Sequence, residues 1–351
     1  AFTYVATSIV PATGLIQLLY DPHRNLVYAL TSTQIDVFNP ATSQFVAPLV
    51  PDSTPGVNYV EMALTPDGSK LLLADATNST LTVFNPDNPA SHTVTVLTQS
   101  PQSLATTSTG KAFLSCGLGL IEFDLATLTS TLRQSISFLG AMKLAASPDG
   151  THMVGALGNN TAGTVVVWNS ATDTFISQGF IDGLFNDIAI ANDGSQFAPI
   201  SGGGFDPGIT GVFFDSQLHL INATTYPDLA PPDAVQAEGA IFSPAGSVLL
   251  QPMLNAIEFF DTSSGQLRAR MMMPEPLVNK TIPFASTGVA VDPSGQTVFV
   301  ISASGLTLIH LPTPIDQLGG VAWPLSTSHS FSQAKFTGAL NRQKHVFRTI
   351  K

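Results

Sequence analysis

A punctuation mark that returns every forty to fifty residues constrains this chain more than any other feature. Met62–Asp87 reads MALTPDGSKLLLADATNSTLTVFNPD: an apolar run, Pro-Asp-Gly, a second apolar run, a polar link, a third run and Asn-Pro. The turn after the first run recurs as DPHRN at Asp21–Asn25, STG at Ser108–Gly110, PDG at Pro148–Gly150 and NDG at Asn192–Gly194. It then appears as PAG at Pro244–Gly246 and PSG at Pro293–Gly295. The last residues of the turns stand at 25, 68, 110, 150, 194, 246 and 295, giving spacings of 43, 42, 40, 44, 52 and 49. Proline presets φ, aspartate bonds its own backbone and glycine supplies φ > 0, so each variant is a chemically sensible turn.

A second landmark keeps phase with the first. The third run reads IDVFN at Ile35–Asn39, LTVFN at Leu81–Asn85, LIEFD at Leu120–Asp124 and VVVWN at Val165–Asn169. It continues as LHLIN at Leu218–Asn222, IEFFD at Ile257–Asp261 and LTLIH at Leu306–His310. All but the last end in Asn or Asp, which suits an Asx-turn into a fourth strand. Several short strands repeated at this period indicate a blade. The expectation is therefore an all-β fold: a seven-bladed β-propeller of four-stranded antiparallel blades.

The first run of each repeat agrees. Five residues before the turn glycine stand Ala63, Ala105, Ala145, Ala189 and Ala290, with Leu19 and Ile241 in the two exceptional repeats. Small residues belong on the innermost strands, where blades converge on the axis. DGSKLLLADATNSTLTVFNP and GTHMVGALGNNTAGTVVVWNSAT resemble the YVTN-type repeats of bacterial surface and secreted propellers. They are also similar to the wider group with lactonase-type seven-bladed propellers. The resemblance covers roughly residues 14–312, although LVYALT and TVFVIS stand where the literal tetrapeptide would be. It implies fold and an extracytoplasmic setting; its motifs are structural and carry no catalytic residue across.

Composition narrows the setting. Of 351 residues, 44% are hydrophobic and 11% charged, so Ser, Thr and Asn make the surface. That pattern favours a secreted, periplasmic or cell-surface protein. The chain opens directly in a strand at Ala1, so a leader or upstream domain is expected to have been removed. No apolar run is long enough for a membrane span. The single cysteine, Cys116, excludes an intramolecular disulfide and reads as a buried, inert thiol. Net charge is −11. The last 17 residues hold Lys335, Arg342, Lys344, Arg348 and Lys351 and no acid; the other eight basic residues face all 24 acids, net −16. A body so acidic is not a nucleic-acid binder. The basic tail reads as a solvated terminus or a strip docked on that body.

The strand FTYVATSIV at residues 2–10 precedes the first repeat and is expected to close blade seven as its fourth strand. The propeller then occupies residues 1–312, and 313–351 form an extension on or trailing from it, with GVAWPL at Gly320–Leu325 a rival for the closing position. Ser201–Gln217, Tyr226–Gly239 and Met273–Ser286 make long connections on one face. That face is expected to carry Asp182, Asp206, Asp215, Asp228, Asp233, Glu238 and Glu275.

Candidate chemistry is sparse. GGGFDPG lacks the Lys-Ser/Thr and the helix of a phosphate loop, so it reads as a surface insertion. Asp206 and Asp215 could join a Ca2+ site, but D-x-D-x-D spacing is absent. The seven histidines are dispersed and form no zinc or copper motif. G-x-S-x-G does not occur. Asn78, Asn159, Asn222 and Asn279 begin N-x-Ser/Thr triplets, a coincidence in a chain of this composition.

One set stands out. Seven residues before each turn glycine stand Glu61, Ser103, Lys143, Asp187, Gly239 and Gly288, and Gln17 aligns with them in blade one once its longer turn is allowed for. They should ring the axial channel on the long-loop face, with Asn186 and Glu238 one residue earlier. One reading is a plug in which Lys143 pairs with Asp187 on the next blade and with Glu61. The other is a site whose Glu61, Asp187 and Glu238 bind a ligand or cation while Lys143 holds an anionic group. The functional expectation is a monomeric binding or scaffold module for a protein, a polysaccharide or a small molecule. The alternative is a lactonase-like hydrolase or a lyase acting at the channel mouth.

Overall fold

Each repeat folds as one antiparallel sheet. The computed structural model describes residues 6–49, 55–117, 119–135, 142–159, 162–180, 185–201, 210–225, 239–277 and 288–318. Blade two shows the plan: strands Tyr59–Leu64, Leu71–Asp75, Thr80–Asn85 and Asn88–Val96 pair in sequence order. Blades one and three to six repeat it. Blade seven takes Val289–Val291, Thr297–Ser302 and Gly305–His310 from the end of the chain and its fourth strand, Ala6–Pro11, from the beginning. The closing register runs from Ala6 opposite His310 to Pro11 opposite Gly305. Closure removes the open edge that a six-and-three-quarter ring would present. The seven sheets thus form the expected propeller.

The turn chemistry holds. Gly68, Gly110, Gly150, Gly194, Gly246 and Gly295 all have φ between 67° and 75°, and Asn25 fills the same place in blade one at 55°. A side chain other than Asn or Asp would be strained there.

Innermost strands are Gln17–Asp21, Tyr59–Leu64, Pro101–Thr106, Lys143–Ala146, Phe185–Ile190, Ile241–Phe242 and Val289–Val291. Each touches the next, and the last touches the first. Between them the core divides into seven hydrophobic clusters, one for each junction of adjacent blades. The alanines are placed by this division. Ala63, Ala105, Ala145, Ala189 and Ala290 all pack into the junction with the following blade, as do Leu19 and Ile241. Ala189 meets Ala240, Phe242 and Leu249 of blade six and is 4% exposed. Ala189→Leu should overpack that junction and cost about 1–3 kcal/mol in chemical denaturation. A variant as stable as the parent would undo this register.

Blade five corrects the sequence reading. Its third strand is Val212–Asp215, and Leu220–Ala223 is the fourth, so LHLIN straddles the turn and outer strand. The second-to-third connection shifts the landmark, yet VFFD obeys the rule better: an aromatic ring precedes the Asx residue. Asp215 consequently sits on the tight-turn face, not among the long connections. There it accepts the Gln217 and His219 N–H groups, at 2.8 Å each.

Beyond blade seven a helical turn, Ile315–Gln317, packs on the tight turns of blades six and seven. Ile315 is fully buried and its N–H donates to Gly295 O. Asp316 accepts the Ser243 and Ser247 hydroxyls and the Ala245 N–H. The basic tail and Gly320–Leu325 lie outside the described residues, as do the connections 202–209, 226–238 and 278–287.

Candidate functional site: the axial collar

The inner strands run from the long-loop face toward the tight-turn face, so the residues seven before each turn lie near their starts. Blades two, three and five carry a register shift immediately before this position, at Tyr59/Glu61, Pro101/Ser103 and Phe185/Asp187. Bulges re-aim the side chain that follows. Here they help turn Glu61, Ser103 and Asp187 toward the next blade. The collar is buried rather than open to solvent: Gln17 is 7% exposed, Glu61 3%, Ser103 0%, Lys143 2% and Asp187 1%.

One bonding rule links these residues. Inner strands have an unpaired edge toward the axis, and backbone N–H groups there need acceptors. In blades one, two, three and five the collar side chain supplies one to the following blade. Gln17 Oε1 accepts Met62 N at 2.7 Å, and its Nε2 returns a bond to Met62 O at 3.0 Å. Glu61 Oε2 accepts Leu104 N at 3.2 Å, and Ser103 Oγ accepts Leu144 N at 2.9 Å. Asp187 Oδ2 accepts Ala240 N at 3.3 Å. Blade four breaks the rule because an ammonium has no lone pair to offer. The matching N–H of blade five, Ile188, is met instead by Asp187 Oδ1 at 2.9 Å.

Lys143 turns the other way. Its Nζ lies 2.5 Å from Glu61 Oε1, reaching past the short Ser103 side chain to a blade two positions back. The plug therefore exists, but its ion pair is Lys143–Glu61; Asp187 serves the backbone at Ile188 and Ala240. Desolvation pushes the Glu61 carboxyl above the usual carboxylate range, and the charge of Asp187 adds to the rise. Lys143 and the Ser103 hydroxyl pull against it.

Of the other expected participants, Glu238 lies outside the described residues, and Asn186 is the bulged residue of blade five. Asp182, Asp206, Asp228 and Asp233 are also outside them. Glu275 is on the long-loop face and accepts both the N–H and the hydroxyl of Ser304. Among the described residues no group of three or more His, Cys, Asp or Glu side chains could hold a metal ion. No described helix is long and apolar enough to cross a membrane. Burial pushes the Cys116 thiol up to about 11, as an inert core cysteine requires.

Sequence reasoning missed a second polar group. Gln251, Glu258 and Arg270 stand opposite one another on three successive strands of blade six, all within 6% of full burial. Arg270 pairs with Glu258 at 3.0 Å, and Gln251 accepts the Thr210 hydroxyl of blade five at 2.5 Å. The available signal was register: three polar residues fall on one rung of the blade-six sheet.

No family model and no curated protein matches this chain. Solved structures do. Kuenenia stuttgartiensis hydrazine synthase is similar over 89% of this chain and 100% of its own, with TM-score 0.66 and 14% identity. The Cps50 (Swd1) β-propeller domain of Myceliophteria thermophila covers 86% of this chain and 98% of its own, with TM-score 0.66 and 10% identity. The RRP9 WD40 repeats cover 87% and 97%, with TM-score 0.66 and 13% identity. At such identities the likeness is one of fold, and the chain is a seven-bladed, WD40-like β-propeller.

Proposed function

We propose that this propeller is a binding or scaffold module working outside the cytoplasm, and that it engages a protein, polysaccharide or small molecule through its long-loop face. The observation that carries the reading is the unequal treatment of the two faces. First-to-second and third-to-fourth strand connections are short turns throughout, stitched by Asx and hydroxyl bonds. The connections 202–211, 224–240 and 273–288 all belong to the opposite face by strand direction. Recognition is concentrated on variable loops held by a rigid scaffold. The bonded collar supplies that rigidity. A lactonase-like reaction would need carboxylates at the mouth poised for chemistry, whereas Glu61 and Asp187 each hold neighbouring blades together. The low charge fraction and the resemblance to YVTN-type propellers support an extracytoplasmic setting.

Two measurements test this. Peptide and glycan arrays should yield ligands for the parent, and replacing 226–238 and 278–287 with short turns should weaken those interactions by about tenfold or more, as loss of a main contact does. The same variant should keep its β-sheet circular dichroism. Equal binding after loop replacement would overturn the face assignment. Recovery of the native protein in the cytosol, rather than in medium or envelope fractions, would overturn the location.

A further inference from the structure

Each blade ends in an outer strand whose far edge no further strand of its sheet covers, and natural proteins blunt such edges. Blade one's outer strand, Gln44–Phe45, has two residues, and blade five's, Leu220–Ala223, has four. Blades three and six carry arginines there, Arg133 in one and Arg268 with Arg270 in the other, and a register shift each. Blade seven's ends in Pro11, and blade four's shows no exposed large apolar side chain among the described residues. Blade two's outer strand, Asn88–Val96, is different. It has nine residues and no charge, and both Pro89 and its one register shift, at Phe84/Asn85, fall at the tight-turn end. Val94 is 40% exposed and Val96 75%, the highest value for a large apolar side chain among the described residues.

Hydrogen bonding fixes what this edge offers. Leu97 N–H donates to Ser79 O at 2.8 Å, so by antiparallel alternation Thr95 and Thr93 exchange bonds with Leu81 and Val83. The N–H and C=O groups of His92, Val94 and Val96 therefore point away from the sheet. Their side chains share a face with Thr80, Thr82 and Phe84, and Phe84 belongs to the cluster between blades one and two. Val46 of blade one, 48% exposed, is on the side of its own sheet that faces blade two, since its N–H bonds Val37 of the same cluster.

We propose that the outer edge of blade two, residues 92–96, is a strand-addition site for an extended, basic segment of a partner protein with apolar side chains at alternate positions. Backbone chemistry selects an extended polypeptide: a row of outward N–H and C=O groups at strand spacing is matched by another strand. The two exposed valines select the pattern. Residues added opposite Val94 and Val96 lie on the valines' own face, the one turned toward Val46, so β-branched apolar side chains at every second position cover them. Charge selects the sign. The protein carries net −11, the strand itself carries none, and Asp87 at its start is already engaged by Arg24. An acidic segment is repelled by such a body and a basic one attracted. This surface lies on the rim of the ring, apart from the long-loop face on which the proposed function rests.

Amide hydrogen exchange on the intact protein tests it, with the capped peptide Lys-Thr-Val-Thr-Val-Thr-Lys as probe and its Glu-ended counterpart as comparison. In buffer, the His92, Val94 and Val96 amides should exchange freely while those of Thr93, Thr95 and Leu97 are protected. Saturating Lys-ended peptide should slow the first three by about tenfold or more and leave the second three as they were, a pattern that only strand addition produces. The Glu-ended peptide should need at least tenfold higher concentration for the same effect. Val94→Pro removes an N–H that faces solvent, a position where an edge strand tolerates proline, and should abolish the slowing at His92 and Val96. Val96→Lys keeps every donor but places a charge on the edge, and should weaken the peptide about tenfold. No slowing with the Lys-ended peptide would overturn the site, as would equal slowing in both variants or equal response to both peptides. Protection that rises with protein concentration in the absence of peptide would overturn the partner, since a second copy would then hold the edge. The loop-replaced variant separates the two proposals: it should keep this exchange response even where it loses array ligands.

Discussion

Removing residues 1–11 will lower the stability of this propeller by roughly 3–5 kcal/mol, a large part of what a typical domain possesses. The strand Ala6–Pro11 is the outer member of blade seven and pairs along its whole length with Gly305–His310. Val10 and Ala12 also pack against the cluster joining blades seven and one. Deletion exposes the Gly305–His310 edge, which carries Leu306, Leu308 and Ile309, and such an edge invites pairing with a second chain. Differential scanning calorimetry and light scattering should therefore show an earlier transition and concentration-dependent association. A truncated protein that melts like its parent and stays monomeric would contradict the closure.

Lys143→Met should be nearly as damaging, by about 3–5 kcal/mol, because it strands the buried Glu61 carboxylate. Adding Glu61→Gln should restore most of that loss, since an ion pair replaced as a unit is often close to neutral. The pH dependence follows from Glu61. Its carboxyl titrates above the ordinary glutamate range in the folded protein. Between the ordinary value and the raised one, the folded state holds a proton that the unfolded chain has released, so stability falls as pH rises through that window. Lys143→Met removes a downward pull on this pKa. The variant's deficit should thus shrink on acidification and widen toward neutral pH, while the double variant should lack this dependence. A deficit constant with pH would show that Glu61 is not its source.

Most of the architecture was legible because two independent landmarks, turn glycine and Asx-terminated third strand, kept phase along the chain. Closure by the first strand followed from counting strands in blade seven. Blade five was misread because its long second-to-third connection let LHLIN pass for VFFD, and Asp215 was carried to the wrong face with it. The collar was legible as a set of positions, since Glu61, Ser103, Lys143 and Asp187 align by count alone and Gln17 joins them once the longer first turn is allowed for. Their partners were legible only in part: of the two pairings expected for Lys143, the one with Glu61 forms, whereas Asp187 bonds the backbone of its own and the following blade. Ser103 is short enough for Lys143 to reach Glu61 instead. A buried side chain's choice among neighbours depends on the lengths of all of them, which periodicity does not encode.

The seam that closes the ring also sets how the molecule answers a mechanical load. Ala6 lies opposite His310, at the same end of the pair as the outgoing chain, and Pro11 opposite Gly305 is farthest from it. Tension applied between Ala6 and His310 acts across the hydrogen bonds one after another instead of along all of them together. The pair opens as a zipper, from Ala6 inward, at lower force than a sheared pair of equal length. Under load applied at these two points this propeller thus comes apart first at the joint that closes its ring. Tethering it by internal loops, and not by its ends, would spare that joint.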